Sequence, residues 1–184
     1  MIDSLRFFSA AVVLTAVIHL SSIDTSAQDW TRFRGPNGNG VVEGTNFPTE
    51  WSEDDYAWQT ELPGQGHSSV VTYGGRGFLM SGDPQTAIRH VVAIDLNSGK
   101  ILWQRNYESK THRLHRRNSF GSSTPAVDTN GLYVAWSSPN ETVIKALSHD
   151  GEERWSRNLG TWTSQHGFGT CLLYTSDAAD DSLR

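Results

Sequence analysis

Apolar residues fall in short runs separated by turn residues, and the runs are too short and too evenly spaced for helices. Residues 69–73 and 77–81 are apolar stretches on either side of Gly74-Gly75, the signature of a tight hairpin. Residues 90–96 and 101–107 flank Asn97-Ser98-Gly99-Lys100 in the same way. The pattern then repeats: residues 124–127 and 132–136 lie about Asp128-Thr129-Asn130-Gly131, and residues 143–147 and 153–158 about His149-Asp150-Gly151-Glu152. Glycine recurs at these turns because it takes positive φ without a steric penalty. From residue 28 onward no segment has a helical period, so the pattern predicts eight strands in two units of four.

The two units are copies. At a spacing of 54 residues, Ser68-Ser69 falls on Ser122-Ser123, Gly77 on Gly131, and Phe78-Leu79-Met80 on Leu132-Tyr133-Val134. At 52 residues, Val91-Val92 falls on Val143-Ile144, Gly99 on Gly151 and Trp103 on Trp155. Ala57-Trp58-Gln59 upstream resembles Leu102-Trp103-Gln104, and Phe168-Gly169-Thr170 downstream echoes Phe120-Gly121-Ser122. Four strands repeated every fifty residues or so is the pattern of propeller blades. The predicted fold class is therefore all-β, a β-propeller of four-stranded antiparallel blades with about two complete blades in the chain.

The ends read differently from the middle. Arg6 precedes an apolar run over residues 7–20, and Thr25-Ser26-Ala27 is a small-residue cleavage site. Residues 1–27 are thus expected to be a signal peptide, with the mature chain starting at Gln28. A run of this length is shorter than the roughly 20 residues of a membrane-spanning helix, so no membrane span is expected after cleavage. Residues 171–184 closely resemble an in-frame translation of the transposase adapter used to prepare DNA sequencing libraries, and the repeat pattern stops there. Residues 28–170 are then the propeller segment, a truncated one. Cys171 is the single cysteine of the chain, so this segment has no disulfide framework and no thiol chemistry.

Composition narrows the function classes. The segment 28–170 carries 13 Lys and Arg against 15 Asp and Glu, and the whole chain has a pI near 5.7. With no long basic stretch, nucleic acid is not an expected partner, and there is no electrostatic pull toward acidic membranes.

The run from Val92 to Trp103 contains Ala93, Asp95, Ser98-Gly99-Lys100 and Trp103, and it resembles the repeat motif of the PQQ-like (quinoprotein-type) β-propellers. Ser98 stands where that motif usually has threonine. The second copy, Ala146 to Trp155, keeps the glycine and tryptophan but shifts the aspartate. The openings Asp29-Trp30-Thr31-Arg32-Phe33-Arg34-Gly35-Pro36 and Leu62-Pro63-Gly64-Gln65-Gly66-His67 look like those of secreted bacterial members. The resemblance implies a propeller of seven or eight blades when complete, and it implies fold far more than function.

Each candidate residue has a structural reading beside the chemical one. Trp58, Trp103 and Trp155 occur once per unit, which suits packing between blades better than a single aromatic ligand site. Asp95 reads as a turn-ordering carboxylate before Gly99. Residues 105–117 hold Arg105, Lys110, His112, Arg113, His115, Arg116 and Arg117 against the lone acid Glu108; they read as a solvated connecting loop, with contact to a phosphate, a carboxylate or an acidic glycan as the chemical alternative. His112 and His115 alone are weak grounds for a metal site. Gly35 to Gly40 lacks the phosphate-loop pattern, and Asn140-Glu141-Thr142 fits a glycosylation acceptor.

No catalytic, cofactor-binding or metal residue is assigned. The expected function is an exported, periplasmic or secreted, non-catalytic propeller that binds a protein or ligand, without a cofactor. The alternatives are the propeller part of a larger exported enzyme and a PQQ-dependent dehydrogenase. The latter would require PQQ, calcium and an aspartate base. Sequencing source DNA across the codons for residues 160–184 is expected to show further tryptophan-bearing repeats after Thr170. A frame that encodes Cys171 to Arg184 as written would contradict the truncation.

Overall fold

Residues 71–158 pair into two separate antiparallel sheets of four strands each. The first comprises β1 (Val71–Tyr73), β2 (Arg76–Gly82), β3 (Arg89–Asp95) and β4 (Ile101–Tyr107) in sequence order. The second repeats the order with β5 (Ala126–Val127), β6 (Leu132–Ser138), β7 (Glu141–Leu147) and β8 (Glu153–Asn158). This computed structural model describes residues 28–42, 48–164, 167–170 and 172. The signal segment expected over residues 1–27, and the tail expected over 171–184 except residue 172, lie outside the described residues. The predicted strands match the observed ones within a few residues, and β4 and β8 begin and end as expected.

Period-two alternation decides which residues form the core. In β2 and β3 the pairs Phe78 with Ala93 and Met80 with Val91 point toward the second sheet. There they meet Val127, Leu132, Val134, Trp136, Val143 and Leu147. Trp103, paired with Ala93, and Tyr107 add to the same face. The opposite face of the first sheet carries Leu79, Val92 and Ile94, covered by Trp58 and Leu62 from the preceding segment. Both faces of β2 and β3 are therefore dry, which is why these strands read as continuous apolar runs rather than as alternating ones.

The tryptophans join one unit to the next. The Trp103 indole lies against Gly151 in the β7–β8 turn of the second sheet, and its Nε1–H donates to the His149 carbonyl at 2.8 Å. Trp58 does the same one unit earlier: it lies against Gly99, and its Nε1–H donates to the Leu96 carbonyl at 2.8 Å. Trp58 itself sits in no strand. Burying an indole removes of order 200 Å² from water, an upper estimate of about 5 kcal/mol. Trp155 packs beside Tyr133 and is 38% exposed. The N-terminal segment straps the inner strands together. Thr72 donates its N–H to the Trp30 carbonyl at 2.8 Å, and Val127 donates to Thr31 at 2.9 Å.

The register corrects the repeat spacing. Phe78 pairs with Ala93 and Tyr133 with Ala146, and each alanine faces its unit's tryptophan. Phe78 is therefore equivalent to Tyr133 rather than to Leu132, and Asp95 to Ser148 rather than to Leu147. The 54-residue spacing rests on Ser68-Ser69 and Gly77 and the 52-residue spacing on Gly99 and Trp103, and the turns between strands absorb the extra residues. A slip of one residue moves a side chain to the other face.

Gly151 (φ +82°) and Gly75 (φ +77°) both need left-handed backbone, but a Cβ on Gly151 would lie 2.8 Å from the Trp103 ring, whereas Gly75 has nothing within 4 Å. Gly75→Ala is expected to cost about 1–2 kcal/mol from backbone alone. Gly151→Ala is expected to cost about 1–3 kcal/mol more through overpacking. Urea unfolding measures both, and equal costs would contradict the indole–glycine packing.

Candidate site at the loop end of the blades

The antiparallel order gives the sheets two unlike ends. The β3–β4 and β7–β8 turns, with Gly99 and Gly151, gather at one end and are occupied by tryptophans. At the other end lie the β2–β3 connection, the β6–β7 turn, and the long segments that follow β4 and β8.

Asp95 belongs to the turn end. Its Oδ1 accepts from the backbone N–H of Asn97 at 3.1 Å and of Ser98 at 2.7 Å, and from the Ser98 hydroxyl at 2.8 Å. The Ser98 hydroxyl and N–H hold the carboxyl below the usual carboxylate range. Its role in ordering the turn is as the sequence suggests. The equivalent Ser148 does this more simply, its Oγ accepting from the Glu152 N–H at 3.1 Å.

The loop end is built around Arg89, the first residue of β3 and only 3% exposed. One terminal nitrogen donates to the Phe120 carbonyl, the other to the Ser137 carbonyl at 3.1 Å, and the guanidinium lies 4.6 Å from the centre of the Phe120 ring. Arg89 thereby ties the first sheet to the second. Its Nε is buried without a hydrogen-bond partner. Burial lowers its pKa to about 10, which leaves it charged at neutral pH. Among the described residues no carboxylate forms an ion pair with it; the ion pairs present are Arg76–Asp150 at the turn end and Lys145–Glu153. The residue at the equivalent place in the second sheet is Thr142, since Gly82 pairs with Arg89 and Ser137 with Thr142. Arg89 is therefore not part of the repeat.

Three concavities among the described residues open at this end. A cavity of about 220 Å³ is lined by His112, Arg113, Ser138, Trp162, Thr163 and Phe168, among others. A second, also about 220 Å³, lies over Gly82 and Phe120 and shares His112. A third, of about 340 Å³, holds Lys110, Asn140 and Glu141. The cationic loop thus splits. Arg105 faces the blade boundary, its Nε donating to the Gly151 carbonyl at 2.7 Å, while Lys110, His112 and Arg113 reach the concavities. His112 donates from Nδ1 to the Lys110 carbonyl at 3.0 Å and meets the Phe120 ring edge-on. No three His, Cys, Asp or Glu side chains converge among the described residues.

Asn140 of the acceptor sequence is exposed in the β6–β7 turn. Gly35 to Gly40 forms a compact turn in which Arg32 donates to the carbonyls of Gly35 and Pro36. His67 lies 3.2 Å from the Ser119 hydroxyl and 3.3 Å from that of Ser122. Both hydroxyls also bind their own loop, so the cluster braces the entries to the two inner strands. Sequence reasoning missed Arg89, Trp162 and Phe168. The available signal was an arginine opening an otherwise apolar strand, with no counterpart one unit later.

The profile of a PQQ-repeat family, described as outer membrane protein assembly factor BamB, matches residues 41–166. The chain belongs to this family. The match covers both sheets, the segment that carries Trp58, and the loop end. Among solved structures the chain is similar to a europium-containing methanol dehydrogenase, at 18% identity and a TM-score of 0.37, over 49% of this chain and 15% of that one. No curated protein matches the chain.

Arg89→Lys keeps the charge but loses the two-pronged reach to Phe120 and Ser137. It is expected to lower stability by about 1–3 kcal/mol in urea unfolding, and unchanged stability would contradict the bridging role.

Proposed function

We propose that this protein is an exported, non-catalytic propeller whose loop end binds a protein or ligand, in the periplasm or outside the cell. One observation carries the reading. The residues that recur from unit to unit, tryptophan and turn glycine, are consumed in packing at one end, while Arg89, replaced by Thr142 in the second unit, lies at the other end with His112 and Arg113. A platform needs its variable residues on one accessible end and its repeated residues in the scaffold. The family supports the reading, since its description names an assembly factor. No helix among the described residues is long and apolar enough to cross a membrane.

Two measurements test this proposal. Expressed with its own N-terminus in a Gram-negative host, the protein is expected in the periplasmic or secreted fraction with Gln28 as its first residue. Titration of the purified protein with PQQ and calcium is expected to give neither saturable quenching of tryptophan fluorescence nor dye reduction with alcohols. Retention of the intact N-terminus in the cytoplasm would overturn export. Quinone binding with turnover would overturn the non-catalytic assignment.

A further inference from the structure

We propose that the cavity bounded by Arg113, Trp162 and Phe168 binds a single acidic sugar residue, a uronic acid, through its carboxylate. The inference rests on the loop end being the binding end, and it names the class of ligand taken there.

Charge comes first. Arg113 and His112 line the cavity, and Arg89 donates to the carbonyl of Ser137, a residue that also lines it. Among the described residues no acidic side chain lines this cavity. Arg113 is exposed and forms no ion pair among the described residues. A guanidinium buried without a counter-charge is costly unless something compensates it. An anion in the cavity would meet Arg113 directly, and a carboxylate fits its guanidinium fork in bidentate fashion.

Shape and polarity then choose among anions. Trp162 and Phe168 meet edge to face, ring centres 5.5 Å apart, and Trp162 is 45% exposed. An exposed indole offers a flat apolar surface with a polar rim, suited to the C–H face of a pyranose. The rest of the wall is rich in hydroxyls, including Ser138 and Thr163, which suits a ring bearing several hydroxyl groups better than a purely aromatic acid. A volume of about 220 Å³ accommodates one sugar unit and not a chain of several.

Isothermal titration of the whole protein with sodium glucuronate, glucose and sodium benzoate tests the assignment. Glucuronate is expected to bind with a dissociation constant on the order of 1 mM. Glucose, lacking the carboxylate, and benzoate, lacking the hydroxyls, are each expected to bind at least about 10-fold more weakly. Arg113→Gln and Trp162→Ala, both at exposed positions, are each expected to weaken glucuronate at least about 10-fold. Arg116→Gln, outside the cavity, is expected to leave binding unchanged. Glucose binding as tightly as glucuronate would overturn the role of the charge. Benzoate binding as tightly would overturn the sugar, and no glucuronate binding would overturn the site itself. Export and the absence of quinone binding are read independently, so this assignment can fail while the scaffold reading stands.

Discussion

The Trp103 indole lies flat against Gly151 and gives its N–H to His149, and most of the architecture depends on that arrangement. An isolated four-stranded sheet has two apolar faces and no means of covering them. The indole anchors one sheet to the next at its far turn, which holds the two faces in register across the full width of the interface. The glycine is required twice over, for its positive φ and for the room that the ring occupies. The carbonyl acceptor satisfies the one polar atom the ring buries. Trp58 and Gly99 repeat the arrangement one unit earlier without a strand around the tryptophan, so the linkage does not need a sheet to present it.

This linkage also explains why chemistry gathers where it does. Tryptophans fill the turn end, and Arg105 and Arg76 add their hydrogen bonds there, to Gly151, His149 and Asp150. The opposite end is free of that duty. Its connections differ in length between units: residues 83–88 join β2 to β3, whereas residues 139–140 alone join β6 to β7. Arg89 ties the two sheets at this end, and it acts through carbonyls rather than through an acid. One end is specified by the repeat and the other by departures from it.

Much of this was legible in the sequence. Glycine-centred turns and apolar runs located all eight strands, and the recurrence of Trp58, Trp103 and Trp155 pointed to packing between units. The side on which a residue falls was less legible. A spacing of 54 residues aligns Phe78 with Leu132, whereas the ladders make it equivalent to Tyr133, because pairing register is set by turns whose residues sequence matching slides past. The site was legible in part. The cationic run over residues 105–117 announced a positive loop, but its division between the blade boundary and the cavities depends on where β4 ends. The only local sign of Arg89 is an arginine opening an apolar strand, and its meaning arises when the register shows Thr142, not an arginine, at the equivalent place.

The central claim is that each tryptophan acts through the turn of the following unit rather than through its own sheet. The most direct test compares Trp103→Leu with Trp155→Leu in equilibrium urea unfolding. Both residues stand opposite an alanine in their own sheets, but only Trp103 has a described turn, at Gly151, to rest on. The account predicts a loss of about 3–5 kcal/mol for Trp103→Leu, in the range of large core truncations, and less than about 1 kcal/mol for the exposed Trp155. Equal losses at the two positions would show that the tryptophans stabilise their own sheets and that the linkage between units lies elsewhere.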